Sequence, residues 1–198
     1  MYVPDDTIAA VATPPGPGGI GIVRISGPDA ATIALAILLR TSPLEPRLAT
    51  VTVVVSRGES QPIDRVLATY FPAPKSYTGE DVVEISAHGS PVLLRRIIEL
   101  AVSAGARLAE PGEFTRRSFE NNKLDLTQVE AIADLVNAET EIQRKQAYSQ
   151  LEGNLTNKTK KIHQELKIVL ANIEAIIDFV DEELPDNLLN KIKEQIEN

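Results

Sequence analysis

Hydrophobic periodicity changes near residue 118, and this change most constrains what the chain can fold into. Before that point, short β-branched runs alternate with longer amphipathic stretches. After it, apolar residues recur at spacings of three, four and seven from Leu151 to Val180. The first pattern is typical of strands mixed with helices, and the second of a helix with one apolar face. We therefore predict an α+β domain with a mixed sheet over residues 1–119 and long α-helices of a partial helical domain over residues 120–198.

The first segment contains short apolar runs that predict strands and two longer runs that predict helices. The predicted strands are residues 20–25, 49–56, 66–71, 82–85 and 107–109, and the predicted helices are residues 30–40 and 92–104. Pro28 opens the first helix, Ser90 and Pro91 cap the second, and Gly105 closes it. This order of elements indicates an α+β domain with a mixed sheet.

The second segment has a helical pattern. Thr127 and Glu130 have the spacing of a capping box, which predicts a helix that begins there. The later apolar stripe predicts a helix of roughly 40 residues with one apolar face. Such a stripe must be buried against other helices. Pro185 is expected to end this helix, and residues 185–198 are expected to begin another.

Composition narrows the classes of function. The chain has no cysteine, which excludes disulfide frameworks, thiolate zinc sites and cysteine nucleophiles. No apolar run approaches the roughly 20 residues of a membrane-spanning helix, and the first residues lack a signal-peptide pattern, so we expect a cytoplasmic protein without a membrane partner.

The charges are unevenly distributed along the chain. Residues 1–117 carry 11 basic and 12 acidic side chains, whereas residues 118–198 carry 9 basic and 16 acidic side chains. The acidic half is a poor partner for a polyanion, because phosphate neutralisation needs Lys and Arg.

Residue usage also shifts at the predicted boundary. Asparagine is absent before Asn121, Lys75 is the only lysine before Lys123, and Arg144 is the only arginine after Arg117. A domain boundary is one explanation of this shift. A fusion of two homologues is the alternative hypothesis.

Two glycine patterns bear on nucleotide binding. Residues 16–21 match G-x-G-x-x-G, but a proline-rich loop precedes them and a strand follows, whereas a dinucleotide site needs a strand before and a helix after. These glycines are better explained by a tight bend or by close approach of the backbone to a ligand. The phosphate-binding pattern G-x-x-x-x-G-K-S/T is absent from the 198 residues, and P-loop NTPases depend on it.

Three charged residues are candidates for a ligand site, and each also has a plainer explanation. Arg24 lies inside an apolar strand and is either an outward-facing residue or an anion clamp. Glu84 alternates with apolar neighbours, which is equally compatible with a solvent-facing position. Lys123 lies in a polar loop before the predicted helix, where a lysine is usually solvated.

Four motifs occur in order along nearly the whole chain. They are ATPPGPGGIGIVRISG at Ala12–Gly27, FPAPKSYTGEDVVEISAHG at Phe71–Gly89, PGEFTRRSFENNKLDLTQVEAIADLV at Pro111–Val136 and IEAIIDFVDEELP at Ile173–Pro185. Together they resemble the MnmE (TrmE) family of bacterial tRNA-modification GTPases, without a counterpart of that family's GTPase domain. Ser90 follows Gly89 at a position where the family pattern commonly has a second glycine. Asn122 stands where the family usually has glycine or aspartate.

The resemblance implies a fold, a cofactor and partners. The family's N-terminal domain resembles the folate-binding domain of glycine-cleavage T-proteins, forms a homodimer and binds a formyl-tetrahydrofolate near the dimer interface. With an FAD-dependent partner of the MnmG type, the family modifies the wobble uridine of certain tRNAs at carbon 5. The family's folate-contacting positions correspond to Arg24, Glu84 and Lys123, so 5-formyl-tetrahydrofolate or a related reduced folate is the expected cofactor. Glu84 suits the ring N–H and exocyclic amine of a pterin, and the two cations suit its carboxylates or formyl group.

Two other functions stay open. The chain could be a folate-inactive structural adaptor that only dimerises. It could instead be a stand-alone one-carbon transferase, for which Asp125 or His88 would be the nominated acid or base.

The 198-residue chain is expected not to hydrolyse GTP, because it has no P-loop to hold the phosphates. Phosphate release from GTP, measured on purified protein, should stay at the level of a buffer blank. Turnover that follows the protein through successive purification columns would contradict this expectation.

Overall fold

A computed structural model describes residues 6–56 and 61–178 of the chain. The chain divides into two compact units, Met1–Asp125 and Leu126–Asn198. The first unit combines a sheet with helices and the second is helical, which confirms the predicted fold class. The boundary between residues 119 and 120 stays a prediction.

In its described residues, the first unit is built on one six-stranded sheet. Its strands are β1 (Ile8–Val11), β2 (Gly18–Ser26), β3 (Thr50–Val54), β4 (Asp64–Phe71), β5 (Val82–Gly89) and β6 (Arg107–Leu108), and its helices are α1 (Ala30–Ile37), α2 (Pro91–Ser103) and α3 (Glu113–Glu120). The strands lie in the order β3-β4-β5-β2-β1-β6. All neighbouring pairs are antiparallel except β1 and β6, so the sheet is mixed, as predicted.

Sequence patterns do not predict β1 and α3. The strand β1 has only four residues, two of them alanine, which gives a weak strand signal. The helix α3 buries Glu113 and Arg117, so its inward face lacks the apolar spacing on which helix prediction rests. The formation of β1 and α3 depends on their contacts with other parts of the folded chain.

The predicted ends of α2 agree with the structure. The helix begins at Pro91, and Ser90 occupies the N-cap position, although its side chain makes no capping hydrogen bond. Gly105 follows the helix with φ of +116°, a conformation that glycine adopts without a steric penalty.

The hydrophobic core lies between one face of the sheet and the helices α1 and α2. Val23, Ile85 and Ile97 are fully buried there, and alternate strand residues point into it because successive side chains point to opposite faces. Gly21 makes room for this packing, since a Cβ there would lie 2.3 Å from Leu94 Cδ1 and would force the Leu94 side chain to move. The last glycine of the G-x-G-x-x-G pattern therefore leaves space for the Leu94 side chain of α2. The pattern continues directly into the strand β2.

The second unit contains α4 (Leu126–Val136), α5 (Glu141–Leu151) and α6 (Asn154–Asp178) within the described residues. The capping box predicted at Thr127 is wrong, because Thr127 is the second residue of α4 and its hydroxyl pairs with that of Thr156 at 2.7 Å. A capping box opens α5 instead, where Thr140 and Gln143 bond each other's backbone N–H groups. The side chain of Thr127 is thus used between helices of this unit.

The predicted helix of roughly 40 residues is also wrong. Leu151 ends α5, and Gly153, with φ of +81°, separates it from α6, because glycine favours the left-handed conformation that ends helices. The stop predicted at Pro185 and the helix predicted after it lie outside the described residues. Within residues 6–56 and 61–178, the helices are too short or too polar to cross a bilayer.

Gly89→Ala should destabilise the first unit, because a Cβ at Gly89 would lie 2.5 Å from the carbonyl oxygen of Gly18 on the neighbouring strand. Relief requires β2 and β5 to separate, and overpacking of this kind costs roughly 1–3 kcal/mol. Urea unfolding followed by circular dichroism measures the loss. Gly19→Ala is the matched control, since a Cβ there meets no atom within 4 Å. Equal stability of the two variants would contradict the packing argument.

Candidate functional site

Arg24 and Glu84 lie on the face of the sheet that does not contact α1 and α2. Each alternates with core residues along its strand, β2 or β5, and the two residues are directly opposed in the antiparallel register. The row continues to Thr69 on β4 and to Ala10 on β1. The two charged residues therefore sit at the centre of the sheet, on the side that the core leaves free.

Arg24 and Glu84 form an ion pair. Arg24 Nη2 lies 2.7 Å from Glu84 Oε1, and Arg24 Nε donates to the same oxygen at 2.9 Å. The side chains are 21% and 26% exposed, so the pair is partly buried and reachable from solvent. Among the hydrogen bonds within the described residues, none involves Oε2 of Glu84. One carboxylate oxygen is thus open to a further donor.

Two aromatic rings flank Arg24. Its guanidinium carbon lies 4.7 Å from the centre of the Tyr77 ring and 5.5 Å from that of the Phe114 ring, distances at which cation–π attraction operates. Tyr77 belongs to the loop between β4 and β5, whereas Phe114 belongs to α3. The two segments meet where the Tyr77 hydroxyl and Thr115 Oγ1 share a hydrogen bond of 2.9 Å.

Residues 72–81 and 113–123 cover one end of this sheet face and are called the cap. Beneath the cap, Ile8 and Ser26 are fully buried. The Ser26 hydroxyl shares a hydrogen bond of 2.7 Å with Thr78 of the loop. The Arg24–Glu84 ion pair lies at the edge of the cap, where the covered part of the face gives way to the open part.

Lys123 lies at the end of the cap. Its Nζ donates to the Pro74 carbonyl oxygen at 3.1 Å, which occupies one of the three ammonium donors. The preceding residue, Asn122, has φ of +55°, a left-handed conformation that asparagine tolerates. Asn122 therefore forms the left-handed turn before Lys123 without a glycine. In the described part of the chain, no hydrogen bond or ion pair joins Lys123 to the Arg24–Glu84 pair, and Lys123 contacts the cap loop instead.

A buried ionic cluster, which sequence patterns did not predict, supports the cap. Arg117 is 2% exposed and donates to Glu80 and to Glu113, each at 3.1 Å. It also donates to the Asp6 side chain. Arg107 donates to Glu113 at 2.7 Å and to Asp6 at 2.6 Å. The spacing of Glu113 and Arg117, four residues apart on one helix, is the signal that the sequence offered.

An apolar cleft of about 650 Å³ lies away from the ion pair. Pro14, Pro15, Leu94 and Ile98 line it, and none of the three candidate residues borders it. Its volume suits a small ligand, but the Arg24–Glu84 ion pair with its open carboxylate oxygen is not part of its lining. Within residues 6–56 and 61–178, no three His, Asp or Glu side chains are placed to hold a metal ion.

Two family models match the chain. A model described as the N-terminus of the GTP-binding protein TrmE matches residues 7–123, and the MnmE helical domain matches residues 126–198. The chain belongs to the MnmE family. Arg24, Glu84 and Lys123 all lie within the TrmE N-terminal match, and Lys123 is its last residue.

Curated relatives carry the name tRNA modification GTPase MnmE. The relative from Legionella pneumophila (strain Corby) is 50% identical over 179 residues, which are 90% of this chain and 40% of the relative. The relative from Francisella tularensis subsp. novicida is 50% identical over 184 residues, 93% of this chain and 40% of the relative. The relative from Koribacter versatilis is 46% identical over 183 residues, which are 91% of this chain and 40% of the relative. This chain thus spans about 40% of the length of these MnmE proteins.

The ionic cluster of this MnmE-family chain holds its carboxylates in the charged form. Burial alone would raise the pKa of Glu113, but hydrogen bonds from Arg107, from the Glu110 backbone N–H and from Arg117 lower that pKa to about 2. Burial likewise opposes ionisation of Asp6, and hydrogen bonds from Arg107 and Arg117 lower its pKa. A carboxylate with a lowered pKa stabilises the fold above its unfolded pKa, and this contribution is lost as the pH falls towards the folded pKa.

The MnmE-family fold should therefore lose stability as the pH falls from about 4.5 to about 2. The share of Glu113 is on the order of 3 kcal/mol. Glu113→Gln should be less stable at pH 7 and should show a flatter loss over this range. Urea unfolding at a series of pH values measures both effects. Glu165→Gln, on the exposed side of α6, should keep the wild-type profile, and the same profile in Glu113→Gln would refute the argument.

Proposed function

We propose that this chain is the N-terminal part of a tRNA-modification GTPase that acts on carbon 5 of the wobble uridine. In this proposal it binds 5-formyl-tetrahydrofolate or a related reduced folate as a one-carbon donor, and it dimerises. The observation that carries the proposal is the partly buried Arg24–Glu84 pair at the edge of the cap, with one carboxylate oxygen open. Membership of the MnmE family and the name of its relatives, tRNA modification GTPase MnmE, support the wider context.

Glu84 is the residue proposed to recognise the pterin. A reduced pterin presents a ring N–H and an exocyclic amine side by side, which matches the fork of donors that a carboxylate accepts best. Arg24 already presents such a fork to Oε1, whereas Oε2 is open among the described residues. One donor of the pterin edge would bind at Oε2, and the other would share Oε1 with Arg24, which stays in place.

Arg24 and Lys123 are proposed to meet the anionic or carbonyl parts of the folate. Arg24 is held beside two aromatic rings and is partly exposed, so its charge is directed towards the open face. Lys123 uses one ammonium donor on Pro74 and has two others for a carboxylate or formyl oxygen.

Dimerisation is supported by apolar side chains on the open part of the same face. Ile20, Val51 and Leu67 are 69%, 68% and 39% exposed, and they border one shallow depression there. Exposed apolar patches of this kind mark interaction surfaces. A second copy of the chain on this face would bury them and would bring the ion pair close to the interface.

The remaining steps of tRNA modification are proposed to need parts that the relatives contain outside the matched region. GTP hydrolysis would take place there, since the 198 residues carry no P-loop. An FAD-dependent partner of the MnmG type and tRNA would join in the cytoplasm. The excess of acidic side chains in residues 118–198 favours tRNA contacts made by other surfaces, because RNA binding needs cations.

Glu84→Gln should weaken binding of 5-formyl-tetrahydrofolate by about 10- to 100-fold, because a charge-assisted hydrogen bond is lost while the side chain keeps its size. Isothermal titration measures the affinity, on protein whose mass is determined by light scattering. The variant should remain a dimer, since Glu84 lies beside the apolar patch and not within it. Glu174→Gln, exposed on α6, is the control and should bind as the wild type does.

The outcomes separate the competing functions. One saturable site per protomer of a dimer supports the proposal. A dimer that does not bind folate favours the structural adaptor. Unchanged affinity in Glu84→Gln rejects the assignment of Glu84 to the pterin, and a monomeric wild type rejects dimerisation.

A further inference from the structure

The two segments of the cap are joined by hydrogen bonds from α3 and the turn after it. Ser118 Oγ donates to the Tyr77 carbonyl oxygen at 2.7 Å, and Asn121 Nδ2 donates to the Thr78 carbonyl oxygen at 2.8 Å. The bond from Lys123 to the loop adds a third. All three bonds end on backbone carbonyls, so they fix the path of the loop.

The far end of the loop is fixed by side chains. Ser76 Oγ donates to the Glu80 carbonyl oxygen at 2.5 Å and accepts from the Gly79 N–H at 3.0 Å. The Glu80 carboxylate accepts from Ser26 at 2.7 Å and from Arg117 at 3.1 Å. The loop is therefore held on both sides of Tyr77.

The contact between Tyr77 and Thr115 differs from these because it lies beside the ligand site. The Tyr77 ring flanks Arg24, and so does Phe114, the neighbour of Thr115 on α3. Tyr77 is 37% exposed, so its ring is at the rim of the cap. The hydroxyl–hydroxyl bond of 2.9 Å thus ties together the two segments that carry the rings.

We propose that Tyr77 and Thr115 are positioning residues for the ligand site. Their hydrogen bond sets the separation of the two rings, and the rings hold the Arg24 guanidinium on Glu84. An arginine that is already immobilised loses less conformational freedom when a ligand binds. Neither hydroxyl needs to contact the ligand. The inference rests on the proposed function, because folate is the ligand whose affinity it changes.

A double-mutant cycle tests the inference. Tyr77→Phe and Thr115→Val each remove one partner of the bond and keep the ring or the volume. Each should weaken binding of 5-formyl-tetrahydrofolate by about two- to tenfold, by equal amounts, and the double variant should be no weaker than either one. Tyr148→Phe in α5 makes the same chemical change outside the cap and should bind as the wild type does.

A second measurement needs no ligand. The Nε–H of Arg24, assigned by its loss in Arg24→Lys, donates to Glu84 and should exchange slowly with water by NMR. In Tyr77→Phe and Thr115→Val this exchange should become several-fold faster, whereas Tyr148→Phe should leave it unchanged. Thermal unfolding of all variants confirms that they are folded.

Equal, non-additive losses of affinity together with faster exchange support the positioning role. A loss in Tyr77→Phe alone means that its hydroxyl contacts the ligand, and this overturns the role of Thr115. Wild-type affinity in both variants overturns the inference while the proposed function stands. If the wild type does not bind folate, the proposed function fails, and the exchange rate of Arg24 then decides the inference: unchanged exchange overturns it.

Discussion

The rest of the first unit depends on the ion pairs that the buried guanidinium of Arg117 forms. This guanidinium bonds at once to Asp6 before β1, to Glu80 in the cap loop and to Glu113 on its own helix. A charge buried in this way is costly unless its partners surround it. Because the partners come from separate segments, the pairing specifies how Asp6, the loop and α3 come together over the sheet.

The position of the candidate site follows from where this closure stops. Ser26, beneath the cap, forms hydrogen bonds with Thr78 and Glu80 of the cap, and beyond the cap the face carries exposed apolar side chains such as Leu67. The Arg24–Glu84 pair lies at the boundary. There water is partly excluded, which strengthens electrostatic interactions. Oε2 of Glu84 and the guanidinium of Arg24 nevertheless stay reachable from solvent. A site with these properties can bind a polar, planar ligand without being enclosed by the chain itself.

Much of the sheet was predictable from the sequence, and less of the site was. Five of the six strands in the described residues match predicted runs, because their apolar patterns bury residues such as Val23 and Ile85 on one face. Arg24 and Glu84 were nominated through the family resemblance, since alternation alone is equally compatible with solvent exposure. Their mutual contact, and the rings beside them, required the register of β2 and β5 and the docking of α3. The helix break at Gly153 was missed because apolar spacing continues across it, and only the backbone conformation reveals the interruption.

The sequence by itself determined the α+β and helical halves and most of the strands, and its four ordered motifs indicated the family. Local periodicity carries the information on strands and helices, because each residue's preference for strand, helix or burial is set by its own side chain and near neighbours. Only the tertiary structure decided that Arg24 meets Glu84, that Lys123 binds the loop and that Arg117 joins three segments. Those contacts span dozens of residues along the chain. They exist because burying a charged group requires a partner, and the folded chain alone determines which partner is near.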